Sequence, residues 1–214
     1  RGEAGALANL ATLAKITGDT IRARELCRRS RELFDQVGNK EGVAWSLNHE
    51  ADAARWAGDL ESARTLLHSA LDRFRAAGND AGIANCLVDL AVISVQTDPD
   101  SAERDATAAL RLLMATGHSR EIARNLETLA RIAWQQQLYE RVVRLAGAVA
   151  AIRRKFGQLE LRNPDDVATL QQLITNSQEQ TGTRAATLWM EGWSAPLAET
   201  VKYALATGRA DGLP

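Results

Sequence analysis

Three histidines, two cysteines and a scatter of carboxylates are the groups from which a reactive centre could be built in this 214-residue chain. His49, His68 and His118 fall in different predicted elements, with no HExxH pair and no spacing that brings two imidazoles onto one metal. Glu50 follows His49 directly, and adjacent residues do not share a helix face. The chain has no GxxxxGKS/T cradle for phosphate and no GxGxxG after a strand. It also lacks the GxSxG elbow of serine hydrolases. Gly117-His118-Ser119 reads as a loop and a helix start. The sequence therefore predicts no catalytic residue, no cofactor, no metal site and a chain that is not an enzyme.

Binding chemistry has more candidates. Arg22, Arg24, Arg28, Arg29 and Arg31 crowd into ten residues, a density that can hold phosphate. Glu25 and Glu32 lie among them, and Arg28 and Arg29 point different ways, so a solvated helix face is the better reading. Glu50 stands where the repeat described below places Leu10, Leu90 and Leu129. A carboxylate in a leucine slot must be paired, neutralised or reach the helix edge. An arginine partner is expected there, with a polar contact to a bound ligand as the alternative. Cys27 shares its register position with Leu67, a core slot, and Cys86 matches Ser46 and Asn125. Cys27 reads as a buried reduced thiol. Nothing suggests an oxidising compartment, so a cytoplasmic protein is expected.

The elements that carry these residues repeat. Gly38, Gly78, Gly117 and Gly157 are spaced by 40, 39 and 40 residues, and Gly18-Asp19 precedes Gly58-Asp59 by 40. Between the glycines lie two amphipathic runs, giving helix, tight turn, helix, loop. A tetrad recurs in each first helix at i, i+3, i+7 and i+10, one helical face. It reads Ala4, Leu7, Ala11, Ala14; then Ala44, Leu47, Ala51, Ala54; then Ala84, Leu87, Ala91, Ser94; then Ala123, Leu126, Ala130, Ala133. Ala23, Ala63, Ala102 and Val142 mark the second helices. Such a period signals stacked helix pairs that share a continuous core, an α-solenoid. Thr97-Asp98-Pro99 and Gln137-Leu138 replace the Gly-Asp pair in the third and fourth repeats.

After Gly157 the repeat stops, and residues 158–164 read as a linker. A polar helix is predicted from about Pro164, capped by Asn163 or Asp165, to Thr181, and a short one over about 183–192. Ser194 is expected to cap a last helix with Pro196 in its first turn. Trp189, Trp193 and Tyr203 are expected to plug the space between these helices and the fourth repeat. The tail 208–214 reads as disordered.

The helix pair resembles the tetratricopeptide repeat (TPR). Leu47, Ala51, Gly58-Asp59, Ala63 and Ala70-Leu71 fall where that motif keeps its landmark residues. The period is longer than that family's usual one. GVAWSLN, GDLESAR, ALDRFRAAGN, LAGAVAAIRRKFG and LWMEGWSAPLAETVKYAL are similar to the repeat regions of bacterial LuxR-type and MalT-like regulators and related signalling ATPases. The resemblance implies a sensor or interaction arm beside nucleotide-binding and DNA-binding domains that this chain does not contain. The chain begins at Arg1 with its repeat phase already running by Ala4, which suggests a fragment of a longer protein.

The fold expected is all-α: a right-handed α-solenoid of about four TPR-like helix-turn-helix repeats over residues 1–157. C-terminal capping helices follow over 158–207, then the tail. The net charge is −1, from 26 basic and 27 acidic residues, so there is no global attraction to nucleic acid or membrane. No apolar run approaches the ~20 residues of a membrane span.

In tetratricopeptide superhelices the first helix of each pair lines the concave groove. One step from the tetrad lie Trp45, Asn48, Asp52 and Arg55 in the second repeat. Asn85, with Val88, Val92 and Val95, follows in the third, and Arg124, Glu127, Arg131 and Trp134 in the fourth. Aromatic and arginine side chains anchor interfaces, and asparagines can clamp a peptide backbone. The expected function is binding of a protein or peptide in that groove, within a larger regulator. The alternatives are a small-molecule effector sensor that switches an attached ATPase, and a spacer or self-association module. An apolar closed pocket under the C-terminal cap favours the effector, and a long open groove the peptide.

Overall fold

The computed structural model describes residues 2–156 and 164–206. The predicted tail, Asn163 as a cap and all but the last residue of the predicted linker lie outside them. The order of elements is α1 (Gly2–Ile16), α2 (Thr20–Gln36), α3 (Lys40–Trp56), α4 (Leu60–Ala77), α5 (Asp80–Ser94) and α6 (Pro99–Thr116). Then come α7 (Ser119–Gln135), α8 (Tyr139–Phe156), α9 (Pro164–Thr181), a 3-10 turn (Gly182–Arg184), α10 (Ala185–Ser194) and α11 (Leu197–Leu205). The described residues form helices joined by short turns and include no strand.

Short polar side chains start these helices by accepting from a backbone N–H that has no partner in the first turn. Asp19 accepts from Arg22 N, Asn39 from Gly42 N, Asp59 from Ser62 N, Asn79 from Gly82 N and Asp98 from Ser101 N. Pro99 sits in the first turn of α6, as Thr97-Asp98-Pro99 predicts. Gln137 replaces a turn glycine and adopts the same left-handed backbone, with φ of 60° against 86° at Gly18 and 79° at Gly58.

Two compact units divide the chain, residues 1–93 and 94–214. The boundary falls inside the third repeat. In the N-terminal unit α1 packs on α2, α2 on α3 and α3 on α4, and α1 also meets α3. The tetrad face is the inner one, with Ala4, Ala11, Ala44, Leu47, Ala51 and Ala54 all buried.

A second face of α3 is buried as well. Phe34 of α2 lies over Gly42, where a Cβ would come within 2.4 Å of its ring. Ser30 and Ser46 hydroxyls are 3.2 Å apart, and Arg31 donates to Glu50 at 2.8 Å. Glu50 thus has the arginine partner expected of a carboxylate in a leucine slot. Phe74 of α4 covers Gly82 of α5 in the same way, at 2.3 Å, with Leu90 and Ile93 buried on that face. Leu10 departs from its register. It is 51% exposed, and Leu13 beside it 58%, because among the described residues no helix covers this face of α1.

The C-terminal unit is built around α8, which packs on α7, α9 and α10, while α6 packs on α7. Asn125 of α7 donates to Ala106 O of α6 at 2.7 Å, and Leu129 and Ile132 are buried. Glycines let α8 and α10 cross backbone to backbone. A Cβ on Gly147 would lie 2.2 Å from Trp189 O, and one on Gly192 1.9 Å from Arg144 O. Arginines of α8 hold the cap. Arg141 donates to Ala204 O at 2.7 Å and also to Ala206 O. Arg144 lies over the Tyr203 ring at 4.2 Å, and Arg154 over Trp193 at 5.6 Å. The expected aromatic plug is therefore a set of arginine–aromatic stacks. Ser194 does not cap α11. It is the last residue of α10, and its hydroxyl donates to Met190 O at 2.7 Å, because Pro196 occupies the cap position.

Candidate functional site

The N-terminal unit holds an open cleft of about 280 Å³ between α1 and α3. Gly5 and Ala8 form its α1 wall, Phe34 its floor at α2, and Glu41, Trp45 and His49 its α3 wall. The periodicity of α3 puts Trp45 and His49 one turn apart on one face. Their rings lie 6.4 Å apart, and the edge of Trp45 meets Phe74 at 4.8 Å. Small residues on α1 leave the Trp45 face uncovered. Packing lowers the pKa of His49 and Lys15 lowers it further, against the opposing pull of Asp52, so the imidazole is held neutral.

The remaining predicted residues of α3 are engaged within the fold. Asn48 is 6% exposed, donates to Asp89 at 3.3 Å and lies 3.8 Å from the Cys86 sulfur. Asp52 binds both Lys15 and Arg55, the latter at 3.1 Å, and Lys15 also caps the Trp56 ring at 5.0 Å. Asn85 donates to Ala81 O of its own helix at 3.0 Å. Val88 and Val95 are buried. Only Trp45 of this group lines the cleft.

In the C-terminal unit a pocket of about 150 Å³ lies among α7, α8, α9 and α10. Val149, Leu170, Ile174 and Trp189 give it apolar walls, and the Glu127–Arg153 pair, at 2.6 Å, closes one side. Glu127 is 7% exposed. Arg131 donates to Asp166 O of α9 at 2.7 Å, and Trp134 packs edge-on against Tyr139 at 5.4 Å. Arg124 is half-buried on the same helix. The four predicted residues of α7 thus mainly fasten neighbouring helices, with Glu127 alone lining a pocket.

Both thiols are buried and free. Burial pushes Cys27 up to about 12, with Glu50 adding to the rise, and burial pushes Cys86 up to about 12 despite the Asn48 amide. No three His, Cys, Asp or Glu side chains gather into a metal cage among the described residues. No helix among them is long and apolar enough to cross a membrane.

Applied to the first repeat as well, one step from the tetrad reaches Gly5 and Ala8, but it misses Phe34 and His49. The signal for them lies in the repeat itself: Gly42 and Gly82 recur eight residues after Phe34 and Phe74. That recurrence marks which helix faces meet, and so which side of α3 is left open. No protein-family model matches this chain, and no curated protein matches it.

Proposed function

We propose that this chain is a non-catalytic interaction module, a right-handed solenoid of TPR-like helix pairs, that binds a segment of a partner protein in the α1–α3 cleft. The carrying observation is the cleft itself: an indole held edge-on by Phe74, a glycine and an alanine facing it, and Glu41 at its rim. An apolar or aromatic side chain enters beside Trp45, whose position costs no ordering because Phe74 already fixes it. Glu41 and neutral His49 offer an acceptor and a donor to the peptide backbone or to a basic flank. The solenoid reading is supported by contacts of α1 with both α2 and α3, and of α7 with both α8 and α9. The sequence resemblance supports a module that works within a bacterial transcriptional or signalling regulator. Two free buried thiols fit a cytoplasmic setting.

Peptides selected from a random library against the whole chain provide the test. Trp45→Ala is expected to weaken their binding by at least about tenfold, and Gly5→Leu, which fills the cleft, to abolish it. Selected peptides that bind both variants as well as the parent chain overturn this reading.

The pocket under the C-terminal helices favours a second reading, a small effector. Its 150 Å³ is below the ~300–1,000 Å³ typical of small-molecule sites, so only a small apolar ligand fits without rearrangement. Native mass spectrometry decides this one. An adduct lost on denaturation and absent in Leu170→Trp supports the effector, and a bare mass with both opposes it.

A further inference from the structure

The α1–α3 cleft follows α3 from Glu41 through Trp45 to His49, residues four apart, and so runs for about 12 Å. Its counterpart between α3 and α5 is closed. There Phe74 takes the register position of Phe34 and Trp45 that of Gly5, and the Trp45 and Phe74 ring centres lie 4.8 Å apart. In the α1–α3 cleft the same place beside Phe34 is open, since a Cβ on Gly5 would meet no atom within 4 Å. A side chain of α3 itself closes the counterpart. The opening therefore follows from a glycine inside α1 and does not depend on what precedes that helix.

This open place carries a ring and a carboxylate. The Asn79 amide donates to Glu41 Oε1 at 2.7 Å, and Asn79 is itself fixed at the start of α5, where its Oδ1 accepts from Gly82 N at 2.8 Å. Glu41 is thus held at the rim. No lysine or arginine lines the cleft among the described residues. Elsewhere the chain completes a ring and a carboxylate with a cation. Lys15, the cation that acts on His49, lies over the Trp56 ring and pairs with Asp52. Arg144 lies over the Tyr203 ring at 4.2 Å and pairs with Glu191 at 3.3 Å.

We infer that the partner segment bound in the α1–α3 cleft carries an arginine next to its anchoring side chain, with the guanidinium against Phe34 and paired with Glu41. This rests on the cleft being the binding site and names the chemistry that enters it. The anchor takes the Trp45–His49 end and the arginine the Glu41 end. A guanidinium is planar and can lie against a ring while two of its N–H groups reach one carboxylate. The ammonium of a lysine offers a point charge and no plane. A neutral side chain fills the space but draws nothing from Glu41.

The test uses library peptides that bind the whole chain and lose binding with Gly5→Leu. They are sequenced and remade with arginine replaced by citrulline, which keeps the plane and removes the charge. Arginine is expected in these peptides, and the citrulline form is expected to bind at least about tenfold more weakly. Glu41→Gln keeps an acceptor for Asn79. It is expected to weaken the arginine peptide by a similar factor and to leave the citrulline peptide unchanged. Cleft-dependent peptides without arginine overturn the inference and leave the cleft as the binding site. So does an arginine peptide indifferent to citrulline or to Glu41→Gln. A library that yields no cleft-dependent peptide overturns both.

Discussion

Arg31 and Glu50 stand where two other helix interfaces place leucine pairs, Leu71 with Leu90 and Leu110 with Leu129. Arg31 is 29% exposed and Glu50 12%, so water screens the pair in part and the cost of breaking it is moderate. Arg31→Leu strands the more buried carboxylate and is expected to cost about 1–3 kcal/mol. Glu50→Leu leaves a guanidinium that can still reach water and should cost less. The double change to leucines restores the pattern of the other interfaces and is expected to match or exceed the parent in urea unfolding, as replaced ion pairs often do. The pairing of Glu50 was legible in sequence because a carboxylate in a leucine slot admits few solutions. Asn48 and Glu127 were legible only as polar, since register says which way a side chain sets out and not what it meets. The thiols give a second check. With both raised to about 12, little thiolate exists at pH 8, and Cys27 and Cys86 are expected to resist iodoacetamide until the chain unfolds.

The helices and their turns followed from glycine spacing and capping residues, and the described ends lie close to those marks. Two local features did not follow. Gln137 takes a left-handed backbone that favours glycine, at φ of 60°. Gln137→Gly is therefore expected to stabilise the C-terminal unit by up to about 1 kcal/mol, read as a raised Tm. The crossing of α8 and α10 was hidden because Gly147 and Gly192 sit mid-helix, where glycine carries no turn signal. Gly192→Ala forces its Cβ onto Arg144 O, a backbone atom that cannot swing aside. A loss of about 1–3 kcal/mol is expected, with α10 exchanging faster. Gly2→Ala, in open space, is expected to be near neutral by the same measurement.

For the molecule as a whole, the repeat period announced the all-helical class, while the division at residue 93 coincides only with small departures, Ser94 for the tetrad's last alanine and Thr97-Asp98-Pro99 for the Gly-Asp pair. The helical pattern continues on both sides of it, with the repeat one residue shorter there, 39 against 40. The pH response belongs at this scale too. His49 has its pKa lowered in the folded chain, so the unfolded chain binds a proton more readily. Its contribution is present above the ordinary histidine range and is lost as pH falls through that range toward the folded value. Tm is expected to drop between pH 7.5 and 5, and His49→Gln to flatten part of that drop.

The pairing of Arg31 with Glu50 also acts as an address. A helix ending in the α4 pattern would bring Leu71 against Glu50 and bury a lone carboxylate. Conversely, α2 moved onto α5 would bring Arg31 against Leu90. Repeats that share a period are therefore not interchangeable. One ion pair sets their order along the chain, and a tandem copy of the second repeat is expected to be poorly tolerated, because Leu71 of the first copy would meet Glu50 of the second.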